Sequence, residues 1–337
     1  MHRSELTIDR GAIRRNVATL KQVLGDAELW AVVKADGYGH GARDAAGAAL
    51  AAGAAALCVA TVGEALDLRQ AFRSTRILVL GPWTPEELPA AREAALELVS
   101  SDGEIPEDIP VHVKLDTGMG RWGLSELAVP ARNVVGLMTH LATADTDVSF
   151  ALEQLARFRA ATEPYAHLTR HAANSAAALR IRESHFDAAR CGVAVYGLSP
   201  FGTDPADDEL VPALRWTSYL AQVKLLGAGQ GTGYRRRFVA ERDTWIGVVP
   251  VGYADGFRRD LTGTEVRVAG ERCRVVGTVS MDAFSVELPR ELPRWTPVTI
   301  IGSDLLVEEH ARVAGTINYE LTSRIESSPT RARRTVL

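Results

Sequence analysis

Amine chemistry has few places to occur in this chain. Lysine stands only at Lys21, Lys34, Lys114 and Lys224, and the other 34 of the 38 basic residues are arginine. A guanidinium stays protonated near neutrality and cannot condense with a carbonyl, so any amine nucleophile must be one of those four side chains. Lys34 has the most informative setting. It follows the apolar run 29–33 and precedes Ala-Asp-Gly-Tyr-Gly-His-Gly at 35–41. A strand end would hold the lysine rigidly and partly dry, which lowers its pKa and frees the amine. The glycines that follow let the backbone approach a ligand closely, and Tyr38 can donate to an anion.

Other polar residues sit at comparable places. Lys114 ends Val111-His-Val, His140 follows Gly136-Leu-Met-Thr, and Arg190 ends Asp187-Ala-Ala. The elements that must position them are short apolar runs at 29–33, 57–60, 77–80, 96–99, 111–115, 134–138, 166–169 and 187–190. Helical stretches at 64–72, 86–93, 150–162 and 175–183 lie between them. Eight runs, most followed by a helix, predict a parallel sheet closed into an N-terminal (β/α)8 barrel, whose C-terminal strand ends form the site. A doubly wound open sheet is the alternative, but no Gly-rich dinucleotide turn follows the first strand.

The register changes at 199–212, SPFGTDPADDELVP, a Pro, Gly and Asp cluster with the composition of a linker. Beyond it, short strands at 220–226, 244–251, 265–268, 273–276, 283–288 and 298–301 predict a mostly β C-terminal domain. A last helix is expected over 306–314. The expected domains are therefore the barrel at 10–210 and the β-rich domain at 211–337, joined by the N-terminal strand at 1–9.

Composition narrows the function classes. The 337 residues are 46% hydrophobic and 24% charged, with a net charge of −4, which is ordinary globular chemistry and offers no broad cationic face for nucleic acid. The three cysteines, Cys58, Cys191 and Cys273, have no paired spacing, so neither a disulfide framework nor a cysteine metal site is expected. No secretory h-region opens the sequence and no membrane-length apolar run occurs, so a cytoplasmic protein without membrane contact is expected.

The block AVVKADGYGHG at 31–41 resembles the cofactor-lysine motif of the alanine racemases, pyridoxal-phosphate enzymes built from a barrel and a β domain. Further blocks follow in that family's order: VHVKLDTGMGRWG at 111–123, THLATAD at 139–145, HAANSAAALR at 171–180, RCGVAVYG at 190–197, VGYADG at 251–256, GTVSMD at 277–282 and TINYE at 316–320. The resemblance spans nearly the whole chain. It implies a cytoplasmic homodimer with shared active sites that interconverts L- and D-alanine by two-base Cα proton transfer, supplying D-alanine for peptidoglycan.

The resemblance also implies roles for residues. Lys34 is similar to the lysine that carries the cofactor covalently and moves the α-proton on one face. Tyr234 is similar to the tyrosine base on the other face, supplied by the partner chain. Tyr38, Ser175, the backbone at Gly192 and Val193, and Tyr319 match the phosphate ligands, and Asn174 lies in the same block. Hydroxyl and backbone N–H donors suit a dianion. Arg190 matches the partner of the pyridine nitrogen, with His171 supporting it and His140 packing by the ring. Arg121 and the backbone at Met281 would hold the substrate carboxylate, and Lys114 and Tyr253 would support them. Lys114 resembles a lysine carbamylated in many members. An unexceptional use exists for several of these: Ser175 as a helix N-cap, Lys114 in an ion pair, Tyr319 in the core of a last strand, and Asp255 and Asp282 as turn acceptors.

The chemistry requires such a set. A Cα proton is so weakly acidic that its removal by a side chain is greatly eased by a cofactor that delocalises the carbanion. A free phenol ionises near pH 10, so a tyrosine base calls for neighbouring positive charge. The sequence departs from the family pattern at Arg235, Arg236 and Arg237, where glycine usually follows the tyrosine, at Asp36 in place of asparagine, and at 326–331. These departures bear on substrate preference and turnover. A racemase of another small amino acid such as serine would share every block. A barrel-plus-β decarboxylase usually carries glutamate where Arg190 stands, and a non-catalytic pyridoxal-phosphate carrier would lack the β domain.

Overall fold

The computed structural model describes residues 2–127 and 132–337. The chain forms two compact units, residues 13–201 with 208–210, and residues up to 12 with 202–207 and 211–337.

The chain opens on β1 (Glu5–Ile8) and α1 (Arg10–Leu24). The start of α1 sorts with the β-rich unit because Asp9 N–H donates to Ala213 O and Arg10 N–H to Leu337 O. The other unit is a closed barrel of eight parallel strands: β2 (Glu28–Val32), β3 (Ala56–Val59), β4 (Arg76–Val79), β5 (Glu97–Ser100), β6 (Val111–Lys114), β7 (Val134–Met138), β8 (Thr169–His171) and β9 (Ala188–Cys191). The expected barrel is therefore present. Its strands read ALCV, RILV and the like because a parallel strand covered on both faces alternates nothing. Between them run α2 (Lys34–Tyr38), α3 (Ala42–Ala51), α4 (Val62–Ala71), α5 (Leu88–Glu93), α6 (Val148–Thr162) and α7 (Ser175–Arg180). Caps start the longer ones. Thr61 and Glu64 form a reciprocal capping box on α4, and Asp147 accepts from Phe150 N–H on α6.

The β-rich unit is one nine-stranded sheet plus a small hairpin. In chain order it adds β10 (Leu214–Tyr219), β11 (Gln222–Leu226), the hairpin β12 (Gly231–Thr232) and β13 (Phe238–Val239), β14 (Thr244–Val249), β15 (Glu265–Val268), β16 (Glu271–Val276), β17 (Phe284–Leu288), β18 (Pro297–Ile301), α8 (Val307–Ala314), α9 (Asn318–Thr322) and β19 (Arg333–Val336). The sheet order is β11-β14-β17-β16-β15-β18-β10-β1-β19, antiparallel except for β1 with β19.

Three local expectations are corrected and one strand is added. The strand read at 166–169 lies at Thr169–His171, because Pro164 enters a 3-10 turn and Leu168 N–H closes back on Tyr165 O. The run at 220–226 is only β11, and β10 precedes it with Leu214, Trp216 and Ser218 facing inward in strict alternation. Tyr319 lies on α9 rather than on a strand. The last strand, β19, is an edge whose residues are half-buried or exposed, so no apolar period announces it.

Candidate active site

The strand holding Lys34 stops at Val32, and Lys34 opens a single turn in which Ala35, Asp36, Gly37 and Tyr38 all carry left-handed φ of 52°, 49°, 62° and 54°. Three of these are not glycine, and such backbone costs of order 1–3 kcal/mol per residue, tolerated where surrounding contacts impose it. Here Ala35 N–H donates to Glu64 Oε1 at 2.7 Å and Ala42 N–H to Asp36 Oδ1 at 2.8 Å. Asp36, like the usual asparagine, is among the residues that enter this region most readily. The turn sets Tyr38 against Tyr196, ring centroids 5.2 Å apart, while His40 stacks on Tyr196 at 4.6 Å. Tyr196 is itself tied to Val32 O at 2.9 Å. Burial lowers the pKa of Lys34, and the Arg121 charge lowers it further.

Asn174 is the N-cap of α7, accepting from Ala177 N–H at 3.0 Å, so Ser175 is not the cap but the first helical residue. Ser175 Oγ instead accepts from the N–H groups of Gly192 and Ala194 at 3.0 and 3.3 Å, which leaves its own proton to donate elsewhere. Val193 opens the 3-10 turn that carries those groups. A Cβ on Gly192 would lie 2.5 Å from the Tyr38 hydroxyl. The glycine is thus what lets a phenol, a serine hydroxyl and backbone N–H groups converge, a set suited to an anion.

Arg190, on β9, is 4% exposed. Its Nη1 donates to His171 Nδ1 at 2.7 Å and His171 O at 2.9 Å, and its Nη2 donates to Thr139 O at 2.8 Å and Ala172 O at 3.3 Å. His140 Nδ1 lies 3.4 Å from Nη2. Among the described residues Nε makes no hydrogen bond. Burial pulls the arginine down to about 10 and, with the Arg190 charge, His140 down to about 3. His140 is accordingly a neutral ring.

Lys114 ends β6, buried, with its Nζ 5.8 Å from the Trp122 ring centre, and the Arg121 guanidinium lies 5.0 Å from the same ring. No carboxylate pairs with Lys114 among the described residues. The nearby Asp116 is committed to the N–H groups of Gly118, Met119 and Gly120. Burial, then Arg121 and Arg190, bring Lys114 down to about 8.

In the β-rich unit, Tyr234 is 70% exposed and begins a turn in which Arg235 and Arg236 have positive φ. Thr278 Oγ1 donates to Tyr234 O at 3.1 Å. Gly252 packs so closely on the 280–282 loop that a Cβ would meet Ser280 O at 2.3 Å. Tyr253 N–H donates to Ser280 O and Ala254 N–H to Met281 O, and among the described residues Met281 N–H has no internal acceptor. Asp255 is buried between Arg3 and Arg331, and Asp282 pairs with Arg331 at 2.8 Å, so these two acids hold the unit together rather than merely closing turns. Tyr319 is half-buried on α9.

Sequence reasoning missed Glu97, Arg76 and His112. His112 and Gly136, polar or side-chain-free positions inside the buried strand VHVK and the largely buried strand VVGLM, were the available signal. Cys58, Cys191 and Cys273 are free and buried, with thiols pushed up to about 12, 12 and 11. Among the described residues no cluster could hold a metal ion, and no helix is long and apolar enough to cross a membrane.

Buried neutral histidines have a thermodynamic consequence. Burial holds His112, His171 and His310 below the ordinary 6.5. A lowered folded pKa means that the unfolded chain takes up the proton first, so stability is intact above about 6.5 and drains as pH falls below it. Each such group removes about 1.4 kcal/mol per pH unit. Denaturant midpoints should stay level from about pH 7.5 to 6.5 and fall steeply by about pH 5.5; a level midpoint to pH 5 would contradict this.

Residues 8–200 match the alanine racemase N-terminal domain family and residues 213–333 the alanine racemase C-terminal domain family. The chain is 40% identical to alanine racemase 1 of Bacillus subtilis over 351 residues, covering 95% of this chain and 90% of that protein. It superimposes on the crystal structure of alanine racemase from E. faecalis with a TM-score of 0.90 at 36% identity, covering 100% of this chain and 98% of that one. Alanine racemase from Bartonella henselae, whose structure holds covalently bound pyridoxal phosphate, aligns with a TM-score of 0.89 at 26% identity over 99% of both chains.

Proposed function

The chain belongs to the alanine racemase family and interconverts L- and D-alanine, and from that premise we propose that it does so with pyridoxal phosphate held at the mouth of its barrel. The observation that carries the cofactor assignment is the convergence there of a lysine with lowered pKa, an anion cradle built without lysine, and an arginine whose Nε alone remains to donate. Bound there, pyridoxal phosphate supplies the electron sink that makes the substrate Cα–H acidic.

The remaining work falls to the chain. Lys34 anchors the cofactor and carries a proton at Nζ on one face. Tyr234 carries a proton at its phenol oxygen on the opposite face, presented across a homodimer interface, which accords with its exposure in a single chain. Tyr38, Ser175, Gly192, Val193 and Tyr319 bind the phosphate, and Asn174 fixes the start of α7 that holds Ser175. Arg190 donates to the pyridine nitrogen through Nε, His171 holds Arg190, and neutral His140 packs beside the ring. Arg121 and Met281 N–H orient the substrate carboxylate, with Tyr253 alongside. An arginine cannot take up the ring proton at working pH, which restrains side reactions such as transamination. The proposed setting is the cytoplasm, with D-alanine feeding peptidoglycan.

Proton–deuterium exchange at Cα tests the reading. Pure protein with pyridoxal phosphate in D₂O should exchange and racemise both L- and D-alanine by NMR and circular dichroism. Cofactor absorbance without exchange on any amino acid would leave a carrier instead.

Lys114 adds a second expectation. Burial and two arginine charges outweigh Asp116, whose carboxylate is committed to backbone N–H groups, and bring the Lys114 amine to a pKa of about 8. The neutral amine can add to CO₂ with loss of one proton, giving a carbamate anion that orients Arg121. Carbon-13 bicarbonate should label Lys114 increasingly as pH rises through 8, and Lys114→Met should remove the signal. A wild-type spectrum without a carbamate resonance at pH 9 would refute it.

A further inference from the structure

The hydrogen bonds of Arg190 do not stop at His171. His171 Nε2 lies 2.8 Å from His112 Nδ1, and His112 Nε2 lies 3.0 Å from Glu97 Oε2. Glu97 is gripped in turn by Arg76, Nε to Oε1 at 3.0 Å and Nη2 to Oε2 at 3.2 Å. Arg190 and His171 lie toward the C-terminal strand ends, whereas Glu97 and Arg76 are the first residues of β5 and β4. The chain of bonds therefore runs through the barrel lumen from mouth to floor. Both imidazoles are fully buried.

The barrel is built to admit this path. His112 on β6 is paired in register with Gly136 on β7, and β8, with His171, comes next. A Cβ on Gly136 would lie 2.2 Å from His112 Nδ1, so the imidazole crosses over β7 where a side chain is missing. Trp30 on β2 walls the path, its ring 5.7 Å from His112 and 4.6 Å from His171. At the floor Arg76 also pairs with Glu28 at 3.3 Å.

Donor and acceptor roles along this path have a single consistent assignment. A guanidinium only donates, so His171 Nδ1 must accept and its proton sits on Nε2. That N–H points at His112 Nδ1, which must accept, so the His112 proton sits on Nε2 and points at the Glu97 carboxylate. Were Glu97 absent, His112 could carry its proton on Nδ1, which would turn His171 to carry its own on Nδ1 and leave two donors facing each other at Arg190.

We propose that Glu97 and His112 are positioning residues for the reaction, which from the barrel floor lock His171 in the tautomer that accepts from Arg190 and so hold the guanidinium and its free Nε in place. This rests on the reading that Arg190 serves the pyridine nitrogen. At metal sites, removing the outer partner that orients a ligand costs about 10- to 100-fold, and a loss of the same order is expected here.

Two-bond nitrogen–proton NMR correlations on the wild-type holoenzyme should put the proton on Nε2 of both His171 and His112; a proton on Nδ1 of either overturns the lock. The functional arm uses His112→Phe, which keeps a ring against Trp30, and Arg190→Gln, in holoenzyme loaded with pyridoxal phosphate labelled at the ring nitrogen. Arg190→Gln should move that nitrogen signal. His112→Phe should move it in the same direction and lower kcat about tenfold or more with KM changed less than twofold. A signal moved by Arg190→Gln but untouched in a folded His112→Phe protein, with wild-type kcat, overturns the positioning role. A signal unmoved by Arg190→Gln overturns the Arg190 reading and the lock's function with it.

Discussion

Lys34→Ala protein should lose racemisation by at least about 10³-fold and should no longer hold pyridoxal phosphate covalently. Both losses follow from one amine serving as anchor and proton carrier, since positioned acid–base groups alone contribute about 10²–10⁴. No other lysine can substitute. Lys21 is on the last turn of α1, Lys224 on β11 of the other unit, and Lys114 ends a different strand. Lys34→Arg should fail as completely, because a guanidinium retains charge but offers no free amine. Borohydride fixation followed by peptide mapping checks the assignment: the label should sit on Lys34 in wild-type protein. A label on Lys114, or activity within tenfold of wild type, would overturn it.

Tyr234→Phe is the second large effect and differs in kind. Loss of one of two bases should lower kcat in both directions by about 10²–10⁴. The cofactor should still bind, because its anchor is untouched. Lys34 would still exchange the α-proton of one enantiomer in D₂O, so exchange becomes one-sided where wild-type protein shows it from both. Equal residual exchange from both enantiomers would mean that Tyr234 is not a base. The turn that carries Tyr234 is well braced, through Thr278 to its carbonyl, while the side chain itself reaches outward. A partner chain would use such a side chain, so specific activity should fall on dilution below the dimer dissociation constant.

Much of this was legible before any coordinates. Most barrel strands are short, largely apolar runs of four or five residues, whereas the cap of α7 fell on Asn174 rather than on Ser175. Such runs are local signals, which is why seven of the eight barrel strands lie within one residue of the expected runs. The run at 166–169 was displaced because the Pro164 turn breaks the pattern there. The strands β10 and β19 went unread for a related reason: one alternates rather than running apolar, and the other lies at the sheet edge.

The sequence by itself placed Lys34, Lys114, His140 and Arg190 at successive strand ends with a β-rich half after them, while the hydroxyl and backbone donors came from the family resemblance. Their order along the chain and the barrel period require nothing further. Tertiary structure decided the rest. It set the left-handed turn that aims Tyr38, the commitment of Asp116 to backbone that leaves Lys114 without a carboxylate, and the burial of Asp255 between two arginines. It also aligned Arg190, His171, His112, Glu97 and Arg76, residues up to 114 positions apart, into one directed line of hydrogen bonds. Spacing along the chain cannot reveal such a line, because it depends on barrel register and on the missing side chain of Gly136, which opens the way between two histidines on non-adjacent strands.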